Sequence, residues 1–275
     1  MKKIMMMIVA MALIMAIPII ALAQDNNSPT PDDASTTVET SYWNDNFSVT
    51  TSFKIWRATN SFKDVGKNID TTSNMYGPSV NLTIFDKWYT GLSFYWGSGF
   101  DYTIESTLDT GQDYEINVDG EKADLDLWVG YRFHPRVSVF IGYKSSQFKR
   151  DVDILSLSFK NDLTFTGPVV GVNGNYPLMN SGFVLFGTLG YTFLDVEKES
   201  EIPVSDENGG IEIQNHKDTF EARGPAIECG VSYMFKKIPQ LSLSGGYKYQ
   251  RYENIDDSND YMEFAGLTFG ANYRF

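Results

Sequence analysis

Five charged residues, Lys54, Asp126, Lys144, Glu228 and Lys248, stand inside stretches whose other members alternate between apolar and polar. The chemistry open to them is ion pairing. Counted from the nearest short turn, each lies about seven residues up its segment, so all five fall at one level. Asp126 and Lys144 are equidistant from Pro135, and Glu228 and Lys248 from Ile238, which in a hairpin sets each pair face to face. Other chemistry is sparse. The single cysteine, Cys229, excludes an internal disulfide framework and leaves no thiolate cluster for a metal. No spacing matches a calcium loop, no metal or cofactor is expected, and a net charge of −13 argues against nucleic acid as a partner.

The elements that must position these charges are strands. In the last fifteen residues Ala265, Leu267, Phe269, Ala271, Tyr273 and Phe275 fall on one face, and Gly266, Thr268, Gly270, Asn272 and Arg274 on the other. The same period of two recurs in about ten segments of roughly ten residues or more: 47–57, 76–85, 88–99, 123–133, 137–148, 164–176, 183–194, 220–235, 241–252 and 261–275. Short turns at 86–87, 134–136, 177–182 and 236–239 alternate with longer, acidic connections. Gly77-Pro78, Gly167-Pro168 and Gly224-Pro225 each open a strand that runs toward a short turn, which predicts bulges or the upper limit of regular pairing. The long connections also alternate, as in Ile154-Leu155-Ser156-Leu157, so the hairpins are expected to continue as sheet and give a tall barrel.

A chain of this pattern, ending on an amphipathic strand with a terminal aromatic, resembles the bacterial outer-membrane β-barrels. The resemblance implies an all-β fold: a closed, antiparallel transmembrane β-barrel of about ten strands in an up-and-down meander. It implies location in the outer membrane with both termini in the periplasm, contact with outer-membrane lipid and lipopolysaccharide, and a C-terminal assembly signal in Phe269, Tyr273 and Phe275 read by the barrel-assembly machinery. The start of the chain agrees. Lys2 and Lys3 precede an apolar run to Ile20 and then Ala21-Leu22-Ala23, the pattern of a signal peptide over 1–23. Residues 24–45, rich in Thr, Ser, Asp, Asn and Pro, read as a flexible periplasmic leader, and 46–275 as the barrel.

Charge on the lipid face at the midplane costs about 2–4 kcal/mol per Arg or Lys, so the five charges must look into the lumen. Asp126 with Lys144 and Glu228 with Lys248 are expected as cross-strand partners in one charged layer, Trp128 and Phe140 are expected to cover Gly142 and Gly130, and Arg132 and Arg274 to form a basic level at the periplasmic mouth. Such a layer in so narrow a barrel acts as a structural plug or as a narrow selective pore.

A weaker resemblance is to the omptin barrels, surface proteases that use an aspartate pair and an Asp–His pair. The matching positions are Asp124 and Asp126, with His216 and Asp218, the latter in reversed order. His216 lies about 25 Å farther up its strand than Asp124 at ~3.3 Å rise and ~40° tilt, beyond catalytic reach, so no enzyme activity is expected. The acidic connections at 101–121, 195–212 and 253–260 keep exposed sheet soluble, bind divalent cations that bridge to lipopolysaccharide, or serve adhesion; the sequence leaves these open.

Overall fold

A computed structural model describes residues 47–275 apart from 65–66, 108–112, 155–156, 180, 206–210 and 258–259. The expected signal peptide and leader lie outside the described residues. Eleven strands follow one another: β1 (Phe47–Asp64), β2 (Lys67–Ile84), β3 (Trp88–Ser98), β4 (Tyr102–Thr107), β5 (Asp113–His134), β6 (Val137–Ile154), β7 (Leu157–Pro177), β8 (Phe183–Ser205), β9 (Ile211–Phe235), β10 (Ile238–Asn254) and β11 (Tyr261–Arg274). Neighbours pair antiparallel in a meander, and β1 bonds both β2 and β11. β3 and β4 bond the same strand, β5, one above the other, so the eleven strands fill ten positions around a closed wall.

Most strands run well past their expected ends. β9 has 25 residues, and β5 has 22. At ~3.3 Å rise and ~40° tilt, 25 residues stand about 60 Å tall, more than twice the ~25 Å apolar band of an outer-membrane barrel. The acidic connections are therefore largely sheet: 101–121 holds β4 and the start of β5, and 195–212 holds the ends of β8 and β9.

The three Gly-Pro pairs are not bulges, nor do they end the pairing. Each ladder skips two positions, at 77–78, 167–168 and 224–225, and then resumes in the same register. Proline has no N–H to give the ladder, which explains the gap. The glycine explains the close approach: a Cβ at Gly77, Gly167 or Gly224 would overlap the carbonyl oxygen of Phe94, Phe193 or Arg251 respectively.

Along the long strands the polarity of the two faces reverses, as β6 and β7 show. In the lower half of β6, Val139, Ile141 and Tyr143 face outward and are exposed, while Ser138 and Lys144 face the lumen. Higher on the same strand Ser145, Gln147 and Lys149 face outward, and Phe148 is fully buried inside. β7 repeats this, with Val170 and Val172 outside below and Leu163 and Phe165 inside above. Outward aromatics edge the apolar band, Tyr143, Tyr191 and Tyr247 above and Phe133, Tyr176 and Trp88 below.

Gly77→Val drives a branched side chain against the Phe94 carbonyl and is expected to lower the urea midpoint of the refolded barrel, corresponding to a loss of about 1–3 kcal/mol in unfolding free energy. Gly174→Ala, whose new methyl would meet nothing nearer than 3.9 Å, is expected to leave that midpoint nearly unchanged.

Candidate functional site: the charged layer of the lumen

The reversal of polarity divides the lumen into stacked levels. Lys54, Asp126, Lys144, Glu228 and Lys248 all line a single cavity of about 370 Å³ inside the lower barrel. Two charges that sequence reasoning had not placed in this layer join it from β5: Lys122, 2% exposed, and Asp124, fully buried. The signal was their parity, since positions 122, 124 and 126 share one face of one strand.

The ion pairs knit four strands. Lys144 donates to Asp126 at 2.9 Å and lies 3.5 Å from Asp124, and Lys122 bonds Asp124 on the same strand. Ser146 donates to Asp124 at 2.5 Å and accepts from Lys122 at 3.0 Å. Asp126 and Lys144 are direct ladder partners, as the spacing from Pro135 predicts. Glu228 is the ladder partner of Lys248, yet it accepts from Lys54 at 2.6 Å. Lys54 crosses to it over Gly270, Ser244 and Gly246, whose small side chains leave the wall bare. Lys248 sets its amine 4.5 Å from the Trp56 ring centre and 4.7 Å from that of Tyr95, at the cavity wall.

Every lysine of the layer has an inward glycine beside it on a neighbouring strand: Lys54 faces Gly77 and Gly270, Lys122 faces Gly97, Lys144 faces Gly167 and Lys248 faces Gly266. At Gly270 the missing side chain leaves room for the Lys54 stem, which a Cβ there would meet at 2.9 Å; at Gly77, Gly97, Gly167 and Gly266 a Cβ would first meet a backbone carbonyl oxygen. At the lower level rings lie over glycines, but not over the glycines expected. Trp128 covers Gly91, not Gly142, and Phe140 covers Gly171, while Tyr89 covers Gly130. Each ring has two ladder neighbours and leans on only one.

Above the charges lies an apolar core that the sequence reading had not anticipated. Phe100, Phe148 and Phe264 meet edge to face at 5.9–6.2 Å between ring centres, and Trp56 and Tyr252 pack on Phe264. Trp56, Phe100, Phe148 and Phe264 have no exposed surface. Phe100 reaches the centre through an extra residue between β3 and β4, which shifts the pairing with β5 by one; Gly99 turns there at φ +86°. Lys122 caps the cluster from below, 4.5 Å from the Phe264 ring centre.

In the lower wall of the cavity Asn173 donates to Tyr89 at 2.9 Å and accepts from Thr188 at 2.8 Å. Arg132, near the lower rim, donates to the Asp86 carbonyl at 3.0 Å, and Arg274 is exposed at the end of β11. His216 is exposed on the upper part of β9, whereas Asp124 is sealed in the lumen, so the two do not form one site. Cys229 is exposed on the outer face of β9.

The model of the outer membrane protein beta-barrel domain family matches residues 119–275, more than half of the chain. The chain belongs to this family. It is an integral outer-membrane β-barrel protein. A search of curated proteins returned no match. Among solved structures, the chain is similar to Ail of Yersinia pestis, in complex with the heparin analogue sucrose octasulfate: 16% identity, TM-score 0.32, over 82% of this chain and 99% of that one. It is also similar to the translocator domain of autotransporter NalP from Neisseria meningitidis: 10% identity, TM-score 0.43, over 97% of each chain. A major outer membrane protein from Thermus thermophilus gives 14% identity and TM-score 0.37, over 82% of this chain and 99% of that one. Nothing about the activity of this outer-membrane barrel follows from superpositions so loose.

Lys144→Met leaves both Asp124 and Asp126 short of a counterion and is expected to cost about 3–5 kcal/mol, against about 0–1 kcal/mol for Lys149→Met on the outer surface. In a urea-unfolding cycle, Asp126→Leu with Lys144→Met is expected to cost clearly less than the sum of the two single changes. Strict additivity would show that the two side chains do not interact.

Proposed function

We propose that this outer-membrane barrel is a non-catalytic, structural barrel whose lumen is closed to through-passage and whose upper sheet is its working surface. The observation that carries the reading is the aromatic core of Trp56, Phe100, Phe148 and Phe264, fully buried across the lumen directly above the charged layer. Truncating a buried phenylalanine typically costs about 3–5 kcal/mol, so such a core does not open spontaneously to let ions by.

The short turns face the periplasm, with both termini, and the long hairpins face the cell exterior; the unequal turn lengths and the tall upper sheet support this orientation. Phe269 and Tyr273 on the outer face of β11, followed by Phe275, serve the barrel-assembly machinery, and the apolar band meets lipid and lipopolysaccharide. Among the described residues no three His, Cys, Asp or Glu side chains gather into a metal site. The acidic hairpins supply the carboxylates through which divalent cations would bridge to lipid phosphates.

In planar bilayers the purified protein is expected to be silent, and Phe100→Ala with Phe264→Ala is expected to produce current steps. Ion-selective steps from the unaltered protein would replace the closed barrel with a narrow conduit. Peptide cleavage at basic sites, lost in Asp126→Asn and His216→Ala, would overturn the non-catalytic reading. A cysteine at Asp256 is expected to label on intact cells with an impermeant reagent, and one at Pro135 is not; the reverse pattern would invert the orientation.

A further inference from the structure

The charged layer does not balance. Lys54, Lys122, Lys144 and Lys248 oppose Asp124, Asp126 and Glu228, which leaves one positive charge over. The surplus falls on Lys248, because the other lysines each hold a carboxylate. Lys248 is 9% exposed and has neither an ion pair nor a hydrogen bond among the described residues. Its two ring neighbours, Trp56 and Tyr95, offer quadrupoles, which attract the amine without supplying a counter-charge. Asp126, Glu228 and Asp124 attract Lys248 from elsewhere in the layer, but none is in contact with its amine; a buried cation without a contact anion is costly, and here it borders a space large enough to admit one.

That space is a cavity of about 370 Å³, within the size range of small-ligand sites. Its lining reaches up to Tyr95, a member of the apolar core, with Lys248, Thr192 and Gln250, and descends from there toward the short-turn end of the barrel. Besides Lys248 the wall carries Lys54 paired with Glu228 and Lys144 paired with Asp126, and below these charges it offers neutral hydrogen-bonding groups, among them Ser52, Ser79, Asn81 and Asn272, beside the Trp128 ring. This combination fits one end of a ligand bearing a negative charge and the rest bearing hydroxyl or amide groups.

We propose that the lumen cavity below Lys248 is a binding site for a small hydroxylated monocarboxylate, its carboxylate held by Lys248 and its polar body by the serines and asparagines beneath. No bond is made or broken; the anion completes the charge of the layer. The site depends on the cavity and on Lys248 and not on silence in a bilayer, so binding and conductance are separate measurements.

The test is calorimetric titration of the refolded full chain with gluconate, with acetate and chloride as smaller probes and folding checked by heat-modifiable gel migration. Saturable, one-site gluconate binding is expected, at least tenfold tighter than acetate or chloride and weakened at least tenfold by Lys248→Met. Lys160→Met, on an exposed strand end, is expected to bind as the unaltered chain does. Asp126→Asn, which removes a negative charge from the cavity wall, is expected to tighten binding several-fold and keeps the test decisive if Lys248→Met does not fold. No gluconate binding, equal binding of chloride and gluconate, or gluconate binding indifferent to Lys248 and Asp126 would each overturn the proposal.

Discussion

The wall of this barrel stands in two solvents, and the rest of the structure follows from that. Around its lower half the outside is lipid, so Val139, Ile141, Val170 and Leu267 face out and polar groups must turn in. Around its upper half the outside is water, so Ser145, Gln147 and Lys149 face out and Phe148, Phe165 and Phe264 turn in. A strand has only two faces, and successive side chains alternate between them. A single strand crossing both solvents must therefore exchange the chemistry of its faces part-way up.

The charged layer sits where that exchange takes place. Lys144 follows Tyr143 and Lys248 follows Tyr247, both tyrosines of the upper edge of the apolar band. Below this level the lumen is polar enough to hold a cavity; above it, the interior is apolar and filled. Lysines suit the boundary because their long stems pack against rings while their amines reach carboxylates. Lys122 and Lys248 each set the amine itself about 4.5 Å from an aromatic centre of the apolar core, and of the two only Lys122 also holds a carboxylate. Gly270 is the complement for Lys54, since a side chain there would meet its stem.

The position of Phe100 shows why part of the interior was hidden in the sequence. Read as a linear pattern, Gly99-Phe100-Asp101 ends one strand and begins an acidic connection. In the barrel the strand resumes as β4 after one extra residue, and the break drops Phe100 onto Phe148 and Phe264 from quite different parts of the chain. Glu228 gives a second case. Hairpin spacing correctly sets it opposite Lys248, but side chains longer than the distance between strands choose among several neighbours, and Lys54 lies within reach across a bare patch of wall.

The sequence by itself determined the periodicity, and with it the strands, the order of the hairpins, the closed barrel and the facing of Asp126 with Lys144, because each depends only on alternation and on distance from a turn. The reversal of polarity was also written there, in runs such as Val139, Ile141 and Tyr143 followed by Phe148, Val152 and Ile154 on the opposite parity. What only the tertiary structure decided is which side chains meet across the lumen: Lys54 with Glu228, Lys248 with Trp56 and Tyr95, and the three phenylalanines that close the barrel. These contacts join strands that are not neighbours in the meander, and their geometry is set by the curvature and stagger of the closed wall, quantities that no single strand contains.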